Sequence, residues 1–259
     1  FEEDVHFYPE TGIEGIGVWR DKLVDFGEEK SAELISESGI AVSCLLWAGG
    51  FTGSDGRRFS DSIEDARQAI ELAASIGAPA LVLHSGGRGG HTLRHAGRLL
   101  ETALAELLPV AHVAGVRLAL EPMAPAVAID WTVQTDLQET LDLVRRVDSP
   151  ALGMVLDTYH WTHLPQLEPL LPELVDVLAL VHLADARTFP SAEQQRCPLG
   201  RGRRPLRRVV ELLEELGYQG WYDVKLMGEE IEASDYRALL SESADLFRQW
   251  TSPATLSEH

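Results

Sequence analysis

Seven apolar runs in this chain each end in an aromatic or ionisable side chain: Trp19, Trp47, His84, Glu121, Asp157, His182 and Lys225. Gathered at one point, the last five supply two carboxylates, two imidazoles and one ammonium, a set suited to proton transfer and cation binding. Glu121, Asp157 and His182 form an oxygen, oxygen, nitrogen donor set that suits Mn²⁺, Mg²⁺, Co²⁺ or Zn²⁺ and leaves positions open for substrate. One such divalent ion acts as a Lewis acid on a carbonyl and its neighbouring hydroxyl, stabilising the enediolate formed when the proton between them leaves. The expected chemistry is therefore at an α-hydroxy carbonyl, with Glu121 as a ligand that also transfers protons. His160, three residues past Asp157, is placed to contact a substrate oxygen, and Arg187, five past His182, to pair with an oxyanion or a polar sugar edge.

Those side chains converge only if the runs are parallel strands in similar register. Short β-branched or Leu-rich runs alternate with longer amphipathic stretches throughout, the pattern of a parallel sheet with helices packed outside it. Strands are expected at 15–19, 41–47, 80–84, 117–121, 152–157, 177–182 and 221–226, and helices at 28–38, 60–76, 93–114, 137–147, 164–174, 205–216 and 234–250. Gly39, Gly77, Gly115 and Gly217 each follow a helical run and precede a strand, where a left-handed cap is needed. The pattern predicts an α/β fold, a (β/α)8 TIM barrel occupying residues 1–250 as a single domain with a tail at 251–259. Residues 2–10 read as a helix, so the chain opens on a helix where a barrel opens on a strand, and the first strand is expected to be missing from its N-terminus. Loops at 49–58 and 187–204 are long, rich in Gly and polar residues, and placed to cover a site.

The strings Leu-Glu-Pro-Met at 120–123, Leu-Asp-Thr-Tyr-His at 156–160 and Val-His-Leu-Ala-Asp-Ala-Arg at 181–187 resemble the xylose-isomerase-like barrel superfamily of sugar phosphate isomerases and epimerases. Gly-Arg-Gly at 200–202 is similar to its Gly-x-Gly loop, and the likeness covers nearly the whole chain. The resemblance implies that Glu121, Asp157 and His182 hold one divalent cation and that His160 and Arg187 touch substrate. One position departs from it. The family's fourth ligand is a Glu in the last strand, whereas here the string is Tyr222-Asp223-Val224-Lys225. Either a metal manages with three ligands and waters, or Lys225 supplies the positive charge itself; in a pocket Lys225 can also serve as a base. Glu229 and Glu230 lie too far past the strand to replace the missing carboxylate.

Each signal has a plainer reading. Trp19 and Trp47 serve as packing or as platforms for a sugar ring, and His84 either contacts substrate or hydrogen-bonds within the barrel mouth. Asp185 is expected to orient His182 or Arg187 from behind. His91 and His95 are expected to face solvent, the glycines of 85–90 to form a flexible loop, and Arg201, Arg203, Arg204, Arg207 and Arg208 to neutralise a helix face. A balance of 22 Lys+Arg against 41 Asp+Glu gives −19 at pH 7, which opposes a nucleic-acid partner. Cys44 and Cys197 suggest neither a disulfide framework nor a thiolate metal site, and no apolar run spans a bilayer. The expectation is a cytoplasmic enzyme with a small sugar or sugar derivative as partner, a possible homo-oligomer. Its reaction is isomerisation or epimerisation; the alternatives are a 3-keto-sugar or inosose lyase on the same site, and a non-catalytic sugar-binding barrel whose metal site Lys225 has altered.

Overall fold

The structure, a computed structural model, describes residues 2–251. Of the expected tail only Thr251 falls among them, as the last residue of a helix. Seven parallel strands form one sheet in sequence order: β1 (Gly15–Trp19), β2 (Ala41–Gly49), β3 (Ala80–His84), β4 (Arg117–Leu120), β5 (Leu152–Asp157), β6 (Leu178–Leu183) and β7 (Trp221–Val224). The sheet curls into a nearly closed α/β barrel, and among the described residues the first of its eight strands is absent, as the sequence led us to expect. In place of a ladder between β7 and β1, side chains of β7 reach across: a Cβ on Gly15 would stand 2.9 Å from the Trp221 ring, and one on Gly17 would stand 2.0 Å from Asp223 Oδ2.

The expected helices form α3 (Glu28–Ser38), α4 (Phe59–Ser75), α5 (Leu93–Ala114), α6 (Leu137–Val147), α8 (Leu167–Leu174), α9 (Leu206–Glu215) and α11 (Tyr236–Thr251). The N-terminal helical run divides into α1 (Glu2–Phe7) and a 3-10 turn (Tyr8–Thr11) that ends at Gly12 with φ of 74°. Three short helices escaped the periodicity: α2 (Arg20–Phe26), α7 (Thr158–Trp161) and α10 (Glu229–Glu232). Each spans two turns or fewer, too short to show a 3.6-residue pattern. All four glycines expected at helix ends adopt positive φ, between 69° and 82°, a region that costs a side-chain-bearing residue free energy.

Alternation along the strands sorts the core into two shells. Leu45, Leu81, Leu83, Leu118, Leu120, Leu156 and Val181 point outward and pack under the helices. Cys44, Leu46, Ala80, Val82, Ala119, Val155 and Leu180 point inward and fill the barrel axis, with Trp19, Trp47 and Trp221 packed against them. The inward parity then carries through to His84, Glu121, Asp157, His182 and Lys225 at the carboxyl ends. At the opposite end, Arg117 donates to three backbone carbonyls, Leu152 O at 3.2 Å, Leu178 O at 3.0 Å and Val177 O at 3.1 Å. Among the described residues no helix is long and apolar enough to cross a membrane.

Candidate active site

The ladder places the cluster. Asp157 pairs in register with His182 across β5 and β6. Just past the strand ends, the Glu121 N–H donates to Leu83 O at 3.2 Å and the Lys225 N–H to Leu183 O at 2.9 Å, so both residues keep strand geometry. Glu121 is the hub. Its Oε2 lies 2.7 Å from His84 Nε2, and its Oε1 lies 3.1 Å from His182 Nδ1 and 2.6 Å from Lys225 Nζ. Burial alone would raise the Glu121 pKa, yet the Lys225 charge and the hydrogen bonds of His182 and His84 hold it well below the carboxylate range.

Asp157 is equally engaged. Its Oδ1 accepts the Tyr159 N–H at 2.9 Å, capping α7, and its Oδ2 takes Arg196 Nη2 at 3.0 Å with Lys225 Nζ at 3.4 Å. Burial opposes ionisation, but Arg196 first and Lys225 second bring the Asp157 pKa down to about 2. The Arg196 guanidinium is itself fully buried, over the face of Tyr159 at 4.7 Å. His160 Nε2 sits 3.9 Å from Asp157 Oδ2, and both of its ring nitrogens lack a hydrogen-bond partner among the described residues. Burial lowers its pKa to about 4 against the pull of Asp157, so the ring is neutral near pH 7. The Lys225 side chain keeps 11% of its surface exposed while those of Glu121 and Asp157 have none, which makes the ammonium the charge an incoming molecule meets.

An aromatic wall borders the cluster. The Trp47 ring lies 5.1 Å from His84 and 5.3 Å from Trp131, and His84 lies 5.5 Å from Trp131. The glycines of 85–90 position this wall: Gly86 N–H donates to Trp131 O at 2.9 Å, and a Cβ on Gly87 would stand 2.2 Å from Ile129 O. Gly86 and Gly87 thus serve close approach between two loops. Trp19 packs against the inner core.

Arg187 is exposed at the rim and gives both terminal guanidinium nitrogens to Glu230 of α10, Nη2 to Oε1 at 2.8 Å, so its partner in this structure is a surface carboxylate. Asp185 orients neither His182 nor Arg187. Its carboxylate accepts four backbone N–H groups, from Ala186 at 2.8 Å, Gly200 and Gly202 at 3.0 Å each, and Arg204 at 3.1 Å, and so fastens the loop that follows it. The His91 and His95 rings meet at a tilt of 54° with centroids 4.8 Å apart, both half-buried, with His91 Nε2 3.0 Å from Thr52 O. Sequence reasoning missed Arg196 and Trp131. Arg196 lies within the 187–204 loop singled out for its composition, but nothing in its spacing marks it as the residue that turns inward; Trp131 has no periodic context.

A cation could draw on a compact set of donors, since carboxylate oxygens of Glu121 and Asp157 and a ring nitrogen of His160 lie within 4.8 Å of one another. His182 joins through Nδ1, 3.9 Å from Asp157 Oδ2. The charges decide whether a dication fits. Two carboxylates already face two fixed cations, Lys225 and Arg196, at 2.6 to 3.4 Å. A divalent ion added to this neutral group would stand beside an ammonium and gain no uncompensated carboxylate, so the residues as arranged do not fit one.

The chain belongs to the xylose isomerase-like TIM barrel family, whose sequence profile matches residues 6–250. It is 24% identical over 237 residues to a 3-dehydroshikimate dehydratase of Pseudomonas aeruginosa, covering 88% of this chain and only 36% of that enzyme's length. It is 25% identical over 235 residues to a fructoselysine 3-epimerase of Shigella flexneri, covering 84% of this chain and 82% of the epimerase. Among solved structures, a protein of Sinorhizobium meliloti superposes with a TM-score of 0.87 at 26% identity, covering 96% and 92% of the two chains. The IolI protein, solved with a bound zinc atom, shares the fold with a TM-score of 0.80 at 18% identity over 97% and 92%. The curated relatives are thus an epimerase and a dehydratase.

Proposed function

We propose that the chain is a sugar isomerase or epimerase that moves a proton at the carbon next to a carbonyl of a small sugar, keto-sugar or polyol derivative. The observation that carries this reading is the buried Glu121 carboxylate, held ionised by His84, His182 and Lys225 at the carboxyl end of the barrel beneath an aromatic wall. A carboxylate so stabilised is a weak base until one of its donors is drawn away. A substrate carbonyl oxygen that takes the hydrogen bond of Lys225 does two things at once: it places positive charge where the enediolate oxygen develops, and it frees Glu121 to accept the α-proton. His160, neutral and unpartnered, is available to a substrate hydroxyl, and Trp47 with Trp131 offers an apolar face to the ring.

The similarity to a dehydratase supports a second reading, in which the same enediolate expels a β-leaving group. Incubation in D2O with ketohexoses, 3-keto-sugars and inososes, followed by NMR, separates the two. Solvent deuterium at the α-carbon without elimination is the expected result, and an enone product in its place establishes the lyase. Glu121→Gln should slow exchange by about 10²- to 10⁴-fold, the usual effect of removing a positioned general base. Exchange that survives this substitution removes Glu121 from the role.

A further inference from the structure

Lys225 Nζ is not merely near the donors expected to bind a metal. It lies 2.6 Å from Glu121 Oε1, 3.3 Å from His182 Nδ1 and 3.4 Å from Asp157 Oδ2, in the middle of that triad. Arg196 closes the remaining side of Asp157 at 3.0 Å. We propose that the Lys225 ammonium takes the place of a dication in this barrel, so that the site works with a built-in cation and neither needs nor retains a divalent metal. The inference rests on the proposed reaction for what the charge does, but not for where it sits.

The physical argument is one of charge and reach. Two ionised carboxylates buried together repel each other and require positive charge close by. Here the chain supplies it covalently, one guanidinium beneath Asp157 and one ammonium bridging Glu121 and Asp157. An ammonium offers three separate N–H donors where a metal offers several coordination positions. With one N–H kept toward Asp157 and the one released by Glu121 turned to the substrate oxygen, Lys225 polarises a single carbonyl oxygen instead of chelating a carbonyl and hydroxyl pair. Substrates whose α-proton is already acidified, such as keto-sugars with electron-withdrawing neighbours, suit this weaker electrophile better than unactivated aldoses.

The test needs no substrate. Purified wild-type protein, Lys225→Glu and Lys225→Met are analysed for bound metals by mass spectrometry, then titrated with MnCl2 calorimetrically, with melting curves recorded in EDTA and in Mn²⁺. Wild type is expected to carry only substoichiometric metal and to melt alike in both conditions. Lys225→Glu, which removes the cation and adds a donor, is expected to bind Mn²⁺ at least about tenfold more tightly than wild type and to melt higher in its presence. Lys225→Met, which removes charge at similar length, serves where the glutamate variant fails to fold. A wild type that holds a stoichiometric ion, lost on Glu121→Gln, overturns the proposal. So do folded variants with no gain in Mn²⁺ affinity. These arms stand whether or not any sugar is turned over, so failure of the exchange assay and failure of this inference are read separately. In an active preparation, EDTA should leave exchange unchanged and Lys225→Met should abolish it.

Discussion

His160 shows how one buried side chain makes the molecule sensitive to pH. Burial holds its pKa at about 4, below the ordinary histidine value of 6.5, despite the attraction of Asp157. The unfolded chain therefore takes up the proton first as pH falls, and the native state loses stability between about pH 6.5 and pH 4, with the full contribution present above that window. The linkage amounts to about 3 kcal/mol between pH 7 and pH 4. Urea unfolding across this range should show the loss, and His160→Gln should flatten that part of the profile; an unchanged slope in the variant assigns the effect elsewhere. The same burial that keeps His160 uncharged leaves both its nitrogens without a hydrogen-bond partner among the described residues.

Asp185 belongs to the scale of elements, because its carboxylate organises a turn instead of a reaction. Four backbone N–H groups converge on it, three of them from Gly200, Gly202 and Arg204, and a Cβ on Gly202 would stand 1.9 Å from its Oδ1. Asp185→Ala should cost about 3 kcal/mol, since several charge-assisted hydrogen bonds go at once, and should accelerate amide exchange in 197–204 well before the strands respond. Equal protection of that segment in both proteins would assign the loop's order to other contacts. Legibility in the sequence followed the same division between strand and loop. Strand ends were readable because a period of two forces Ala80, Val82 and His84, or Val155 and Asp157, onto one face, and that placed His84, Glu121, Asp157, His182 and Lys225 together. Arg196 and Trp131 were not readable, because each arrives by a loop whose path is set by tertiary contacts such as those of Asp185 and Gly87. The partner of Arg187 was hidden for a related reason: position in a motif does not disclose that Glu230, from a four-residue helix, waits beside it. Asp185 and Arg187 also show that a motif can be matched while its residues take other partners.

On the scale of the whole molecule, the inner and outer shells meet along the sheet, and α3 to α9 and α11 contribute residues to the core packed on it. We expect residues 2–251 to unfold as one unit, with far-UV circular dichroism and tryptophan fluorescence giving coincident denaturant transitions; separated midpoints would divide the barrel into independent parts. The net charge of −19 contrasts with the site, where carboxylates and fixed cations balance. A final consequence follows from Arg117 at the other mouth of the barrel. Its forked head gathers the carbonyls of Leu152, Val177 and Leu178, which open strands β5 and β6, and a lysine there, its three donors on one nitrogen, lacks the spread planar fork that reaches all three. The fastening of the barrel and its candidate site thus occupy opposite rims, so a change that tightens the lower one need not disturb the upper.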